Sequence, residues 1–342
     1  MLPQPVKKLG KQTLQFAQPP VILSSSCIVG PMEGKGPYGK AFDYVLEDTL
    51  FGEKTWEKAE SKMLREAIKL SIQKVNLAPA DIDFMLAGDL LNQIVAANFA
   101  AREITIPFLG LYGACSTMVE GLGVASVLID GGFAHRVVVG VSSHHNTAER
   151  QYRFPTEQGG QRPMWAQWTV TGAGSALLVK EGSGPVITHL TVGQVIDLGV
   201  KDANDMGTCM APAAADTIIR HFQDLGRQPA DYDLILSGDL GSVGLKITKE
   251  LLKIEGFETE NNFTDCGVMI YAPEQDTHAG GSGCGCSAVM VCGPILKRMT
   301  EGIYRRILVV GTGALLSPLT VNQGESVPAI AHAVVIEAQD LR

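Results

Sequence analysis

The chain has few aromatic residues and lacks the composition of a fibrous or disordered protein. Phe, Trp and Tyr make up 6% of its 342 residues, whereas hydrophobic residues make up 45% and glycines number 38. This balance excludes a collagen-like or disordered chain and is typical of a compact α/β protein. Because the length exceeds one ordinary core, we expect two domains or one duplicated domain.

The chain also lacks an excess of positive charge and a disulfide framework. A formal net charge of -8 argues against nucleic acid as a partner. The seven cysteines form an odd set without framework spacing, which indicates a reducing compartment. Only Cys284 and Cys286 lie close together, with no second pair at zinc spacing, so we predict no metal site. The glycines near Lys35 do not form a phosphate-binding pattern, and we expect no nucleotide cofactor.

No segment reads as an export signal or a membrane span. Residues 1–12 contain no apolar signal core. Two stretches, 277–296 and 307–324, carry no Asp, Glu, Lys or Arg, but glycines and prolines interrupt them. We predict buried α/β elements there, and any contact with a membrane would be peripheral or through a partner.

An internal repeat divides the chain. Residues 79–90 and 229–240 match at eight of twelve positions, including a shared Gly-Asp-Leu turn. In each copy a glycine-rich turn, an apolar helix and a β-rich run follow. We therefore predict two halves, 1–182 and 183–342, with the same order of elements.

The hydrophobic patterns predict how the two halves are layered. Each half combines β-rich runs with an amphipathic helix pattern, at 56–75 and at 213–225, which favours mostly parallel sheets with right-handed crossovers. The helices after Cys115 and Cys286 are apolar on nearly every side, so both must be buried. Two such helices can shield each other only between two sheets. We predict five layers, αβαβα, with two mixed sheets.

The turn Gly113-Ala114-Cys115-Ser116 lies between an apolar run and one of these helices. Cys115 would sit where backbone N–H groups and the positive end of a helix dipole converge, which stabilises a thiolate or a bound anion. The alternative is that Cys115 is a small buried residue without chemistry, as free cysteines commonly are.

A long loop pattern, 142–167, follows the next strand and contains two adjacent histidines, His144 and His145. Loops of this length in compact domains commonly cap a site or make a subunit contact. Because the loop leaves the sheet at a strand end, where α/β proteins bind ligands, we favour a role at the site over a solvated excursion.

The arrangement resembles the thiolase fold, as in thiolases and the type III ketoacyl synthases. The turn at Cys115 is similar to the turn of those enzymes whose cysteine takes an acyl group from coenzyme A or a carrier protein. The partners of that cysteine are missing: segment 237–241, which resembles the histidine motif, holds Asp239 between glycines, and segment 280–284 has no amide where an asparagine would lie. A nucleophile without its partners is poor evidence for catalysis.

Several segments are similar to the stage V sporulation AD family of spore-forming bacteria: 87–93, 113–117, 142–144, 147–151, 211–217 and 311–318. This resemblance implies a binder of dipicolinic acid that is not an enzyme. It further implies membrane-embedded partner proteins that load the developing spore with the acid and its calcium, and a location peripheral to the inner spore membrane. The thiolase-like fold implies a homodimer.

Dipicolinate is a flat pyridine dianion, and a pocket of helix-start N–H groups and hydroxyls would suit it. Because a carboxylate repels a dianion, we expect Asp239 to act through its neighbours, or to bind calcium if the chelate is the ligand. The predicted ligand-binding residues are Cys115, Ser116, Ser142, Ser143, His144, Asp239, Ser282 and Cys284.

Two rival functions stay open. Cys115 could serve an acyltransferase like the thiolases and ketoacyl synthases with an unrecognised base. His278, three residues before Gly281, could then fill the place of the missing donor. The chain could instead be a scaffold that only docks membrane partners.

Overall fold

The computed structural model describes residues 7–153 and 160–339. The strands are β1 (Lys8–Leu9), β2 (Thr13–Gln15), β3 (Val21–Val29), β4 (Tyr44–Val45), β5 (Phe84–Gly88), β6 (Phe108–Gly110), β7 (Arg136–Ser143), β8 (Trp168–Thr169), β9 (Gly172–Val179), β10 (Val186–Thr191), β11 (Leu234–Ser237), β12 (Phe263–Asp265), β13 (Gly281–Ser282), β14 (Arg306–Ala314) and β15 (Ala329–Glu337).

The helices alternate with these strands. They are α1 (Pro31–Gly34), α2 (Trp56–Gln73), α3 (Val95–Ile104), α4 (Thr117–Asp130), α5 (His145–Gln151), α6 (Met206–Leu225), α7 (Gly241–Ile254), α8 (Cys266–Ile270), α9 (Cys284–Met290), α10 (Leu296–Thr300) and α11 (Pro318–Asn322). A π-helical turn, Val291–Ile295, contains Pro294 and joins α9 to α10, because proline cannot continue the regular α-helical ladder.

The strands form two arrays with the same order and directions, which confirms the predicted duplication. The first array has the order β3-β9-β7-β5-β6 and the second β10-β15-β14-β11-β12. In each array the first three strands are antiparallel neighbours and the last three are parallel. The arrays meet at one antiparallel pair, Val21 with Val186, so the two expected sheets are continuous through this contact.

The layers are those expected from the helix patterns. Helix α4 packs on β7 of the first array and on β14 and β15 of the second, and α9 packs beside it. Helices α2 and α3 cover the outer face of the first array, and α6 covers that of the second. The apolar pattern of α4 is not buried throughout, since Val127 is 41% exposed near its end.

The sequence repeat corresponds to a repeated set of hydrogen bonds. In the first copy the Asp83 carboxylate accepts the N–H of Arg136 at 2.9 Å. In the second copy Asp233 accepts the N–H of Arg306 at 2.9 Å. Each aspartate thereby ties the start of one parallel strand to the next, so the repeated sequence fixes the same local register in both halves.

Two sequence-based boundaries were displaced. Helix α6 begins at Met206, seven residues before the apolar pattern, because the side chain of Asp205 caps it by accepting the N–H of Thr208 at 3.2 Å. The expected loop 142–167 contains the end of β7 and helix α5. Part of that loop, 154–159, lies outside the described residues.

The segment before β3 packs on the second half, although it precedes the first. Strand β2 pairs with β10, and the Asp224 carboxylate of α6 accepts the N–H groups of Lys11 at 3.2 Å and of Gln12 and Thr13 at 3.1 Å. The division at residue 182 stays a prediction, and these contacts show that the two halves share structure across it.

Within residues 7–153 and 160–339, no helix combines the length and apolar character needed to cross a membrane. All seven cysteines are buried and unpaired with one another in disulfides. In the same ranges, no three His, Cys, Asp or Glu side chains are grouped in a way that could hold a metal ion.

Candidate functional site

The turn that carries Cys115 is held by its own side chains. Ala114 has φ of 49°, in the left-handed region, which directs the chain sharply into α4. The hydroxyl of Ser116 donates to the Gly113 carbonyl at 2.7 Å, and that of Thr117 donates to the Ala114 carbonyl at 2.6 Å. The Ser116 side chain is therefore occupied within the turn that it closes.

The close packing of the second half against this turn requires glycine. A Cβ on Gly313 of β14 would lie 2.4 Å from the carbonyl oxygen of Gly113. The backbone of β14 can therefore approach the Cys115 turn only where a side chain is missing, and this brings the neighbouring Thr312 to the site.

The carboxylate of Asp239 lies against Cys115. Its Oδ1 accepts the hydroxyl of Thr312 at 2.7 Å, and its Oδ2 accepts the hydroxyl of Ser282 at 3.0 Å and the N–H of Gly283 at 2.9 Å. The Cys115 thiol lies close enough to this carboxylate for each group to shift the pKa of the other. One acidic group from the second half thus gathers three donors beside the cysteine of the first.

This neighbour opposes a thiolate. Burial and the negative charge of Asp239 together raise the pKa of Cys115 well above its ordinary value of 9.0. The charge of Arg153 and the Gly283 N–H act in the opposite direction and do not offset them. Burial likewise raises the pKa of Asp239, although the groups that donate hydrogen bonds to it lower it.

Arg153 supplies a buried positive charge beside this cluster. The residue is 8% exposed, and its guanidinium donates to the Thr169 hydroxyl at 2.8 Å, to the Gln167 carbonyl at 2.9 Å and to the Ser282 hydroxyl at 3.2 Å. Since Ser282 donates in turn to Asp239, its hydroxyl links the cation to the carboxylate. Within residues 7–153 and 160–339, no carboxylate forms an ion pair with Arg153.

The other predicted side chains, Ser142, Ser143 and Cys284, form hydrogen bonds with one another or with their surroundings rather than with Cys115. The Cys284 thiol donates to the Ser142 carbonyl at 3.0 Å. The Ser143 hydroxyl donates to the Val170 carbonyl at 2.7 Å, and the Ser142 hydroxyl donates to Glu60 at 3.3 Å. Glu60 is fully buried, and its pKa is raised well above the ordinary value by burial and by the charge of Asp89.

His144 and His278 form their hydrogen bonds with groups outside the cysteine cluster. The ring of His144 bonds to the Thr49 carbonyl at 2.8 Å through Nε2, and its Nδ1 accepts the N–H of Asn146 at 3.1 Å. His144 thus caps α5, and both ring nitrogens are used there. The ring of His278 bonds to the Pro163 carbonyl at 2.9 Å.

The helix-start N–H groups are also less available than the sequence suggested. In the Cys115 turn, the N–H of Ser116 donates to Gly113 at 3.1 Å and that of Thr117 to Ala114 at 3.3 Å. At the start of α9, Asp239 already accepts the N–H of Gly283. An anionic ligand would therefore depend on Arg153 more than on these groups.

Sequence reasoning did not select Arg153 and Thr312. Arg153 lies in the loop that we expected near the site, but the sequence does not distinguish it from Arg150 or Arg162. Thr312 follows Gly311 at the end of a β-rich run, and only the spatial pairing of the halves brings it to Asp239.

Comparison with known proteins places the chain in a family. The family model described as Stage V sporulation protein AD matches residues 10–337. The chain belongs to this family. Stage V sporulation protein AD of Bacillus subtilis (strain 168) is 50% identical over 332 residues, which are 97% of this chain and 98% of that protein. Membership makes the chain a sporulation protein.

Solved structures show the fold of this stage V sporulation protein AD family member. The 3-oxoacyl-[acyl-carrier-protein] synthase III of Aquifex aeolicus VF5 is similar with a TM-score of 0.58 at 13% identity, over 93% of this chain and 99% of that one. A variant of Xanthomonas campestris OleA with bound lauric acid and lauroyl-CoA is similar with a TM-score of 0.59 at 11% identity, over 93% and 99%. At these identities the likeness confirms the predicted thiolase-like fold alone.

Proposed function

We propose that the protein binds dipicolinic acid, as the free dianion or its calcium chelate, for uptake into the developing spore, and that it does so without catalysis. The observation that carries this proposal is the buried Arg153 guanidinium beside Cys115 and Ser282 in a chain of a sporulation family. A buried cation favours a compact anionic ligand, because charges interact more strongly where water is excluded.

The state of Cys115 supports binding over catalysis. The thiolate is the reactive form of cysteine, and the Asp239 carboxylate disfavours that form. In activated cysteines a base or a positive group lies against the thiol instead. The Asp239 carboxylate already accepts hydrogen bonds from Ser282, Gly283 and Thr312, so it can hold these second-half segments in place behind the ligand.

Calorimetry with dipicolinate tests the site directly. We expect Arg153→Met to weaken binding by at least about tenfold, because a charge-assisted hydrogen bond contributes roughly 1.5–3 kcal/mol. Arg153→Lys should retain part of the affinity. Arg150→Met is the matched control, since Arg150 is exposed and pairs with Glu57 at 3.0 Å.

A second variant tests the position of the ligand. Cys115→Trp would place a bulky side chain at this buried turn and should abolish binding. Absence of binding by the unaltered protein, or equal binding by Cys115→Trp, would refute the assignment of this site. Turnover of acetyl or malonyl coenzyme A that Cys115→Ala abolishes would instead establish the acyltransferase.

We further propose that a second copy of the chain covers the outer edge of the first array. Strand β6 is the end strand in the described part of this array, and it presents Leu109 at 46% exposure, with Tyr112 at 51% and Phe99 at 46% nearby. An apolar edge strand is prone to pair with another strand, so a homodimer would bury it. The membrane-embedded partners and the inner spore membrane as the location belong to the same proposal.

A further inference from the structure

We propose that the protein has a second binding site, for flat aromatic carboxylates, in the cleft beside Trp168. The cleft has a volume of about 630 Å³ and is lined in part by Met32, Lys35, His145 and Trp168. This volume lies within the range of small-molecule sites. The inference relies on the proposed function only for the choice of dipicolinate as a probe.

Strand β8 separates the cleft from the Cys115 site. The Thr169 hydroxyl bonds to Arg153 at 2.8 Å on the side of the cysteine cluster. The preceding side chain, Trp168, lines the cleft, as expected because successive side chains of a strand point to opposite faces. A ligand in the cleft would therefore be distinct from one beside Cys115.

Stacked aromatic rings form one wall of the cleft. The ring centres of His145 and Trp168 are 3.7 Å apart and their planes differ by 3°. The Arg162 guanidinium lies 4.8 Å from the centre of the same indole. A pair of parallel rings presents a flat surface, on which a further planar ring stacks with favourable energy.

The polar groups of the cleft fit a carboxylate. The Lys35 ammonium has no ion pair among the described residues, and it lines the same cleft as the side chains of Asn146 and Thr49. His145 is 8% exposed, and its Nδ1 is buried without a hydrogen-bond partner. Burial and the charge of Arg153 lower the pKa of His145 to about 3, so the neutral ring offers one donor and one acceptor.

The acidic group in the lining of the cleft, Glu33, is buried, and its Oε2 has no hydrogen-bond partner. Glu33 is 1% exposed, and its Oε1 accepts the Thr171 N–H at 2.9 Å and the hydroxyl of Tyr271. Burial raises the pKa of Glu33. Lys35 in the lining and Arg162 over the indole are positively charged, and burial disfavours the charged form of Glu33, so the cleft favours an anion over a cation.

Calorimetric titration with dipicolinate, benzene-1,3-dicarboxylate and adipate tests the proposal, with Trp fluorescence as a second readout. We expect two sites for the aromatic dianions, and weaker binding of adipate because it cannot stack. His145→Gln should weaken the cleft site by about 2- to 12-fold, given roughly 0.5–1.5 kcal/mol for stacking beyond buried area. Lys35→Gln should weaken it by about fivefold, while Lys40→Gln, at an exposed lysine outside the cleft lining, should not change it.

The outcomes separate this inference from the proposed function. Two sites, of which Cys115→Trp removes one and His145→Gln weakens the other, would support both. A single site removed by Cys115→Trp and unaffected by His145→Gln and Lys35→Gln would overturn the cleft site alone. A single site unaffected by Cys115→Trp but weakened by both cleft variants would overturn the proposed function alone. If His145→Gln unfolds the protein, Lys35→Gln decides whether the cleft binds the ligand, because it alters only a surface side chain.

Discussion

Removing the charge of Asp239 should make Cys115 more reactive. The carboxylate lies against the thiol and, with burial, holds the pKa of Cys115 well above 9.0. Asp239→Asn removes the charge while keeping the shape of the side chain. The amide oxygen can still accept the Gly283 N–H, which now donates to the carboxylate at 2.9 Å.

The expected size of the effect follows from the contact. Two unit charges about 4 Å apart interact by about 4 kcal/mol at an effective dielectric constant of 20, and 1.36 kcal/mol corresponds to one pKa unit. Removing the charge should therefore stabilise the thiolate by up to about 4 kcal/mol. Burial is unchanged in the variant, so the pKa of Cys115 should fall without reaching its ordinary value of 9.0.

The assay is the rate of alkylation of Cys115 by iodoacetamide between pH 7 and 10, followed by peptide mass spectrometry. At a fixed pH below the pKa, the thiolate fraction rises tenfold for every 1.36 kcal/mol by which the thiolate is stabilised. Because a thiolate becomes less nucleophilic as its pKa falls, we expect about a 3- to 50-fold faster reaction. Asp265→Asn is the matched control, because Asp265 is equally buried but holds the N–H groups of Leu240 at 2.8 Å and Gly241 at 3.0 Å. An unchanged rate in Asp239→Asn, or the same acceleration in Asp265→Asn, would refute the reasoning.

Three further predictions concern stability and assembly. Asp224→Asn should speed hydrogen exchange at residues 8–15. Three N–H groups lower the pKa of Asp224 below 3.8. The slower exchange of the unaltered protein should therefore be fully present above pH 3.8 and be lost as the pH falls through the lowered pKa. Equal exchange in both proteins at pH 7 would contradict it. Leu109→Lys should turn a dimer into a monomer in sedimentation experiments. Phe133→Lys is the control and should leave the dimer intact, because the Phe133 side chain is 74% exposed. An unaltered protein that sediments as a monomer would exclude the dimer. Gly174→Ala should lower the free energy of unfolding by about 1–3 kcal/mol in denaturant titrations, since its Cβ would lie 2.5 Å from the Ala288 backbone; unchanged stability would show that α9 can move away.

The fold could be predicted because its signals are local and repeated. The amphipathic run 56–75 corresponds closely to α2, Trp56–Gln73. Periodicity along the chain fixes such elements, and two copies of one pattern restrict the ways of pairing them. The start of α6 was missed because an aspartate cap, Asp205, decides it rather than the apolar pattern.

The candidate site could be predicted only in outline. The position of Cys115 at a strand-to-helix turn follows from neighbouring residues. Its contact with Asp239 depends on how the two halves pack, and no periodicity encodes that distance. The same holds for Arg153, whose donors reach residues of β8 and β13.

The repeated Gly-Asp-Leu turns have a consequence for genetic exchange between the two halves. Residues 88–90 and 238–240 are identical in sequence, yet Asp89 accepts the N–H groups of Leu91 at 2.7 Å and Ala97 at 2.8 Å, whereas Asp239 bonds to Thr312 and Ser282. Recombination that swapped only the two turns would leave the protein unaltered. Recombination that swapped the segments around them would keep every predicted strand and helix, yet would separate Asp239 from the groups that define its role. In a duplicated protein of this kind, two identical residues can therefore have different roles, because each role depends on the groups that the opposite half brings into contact with the residue.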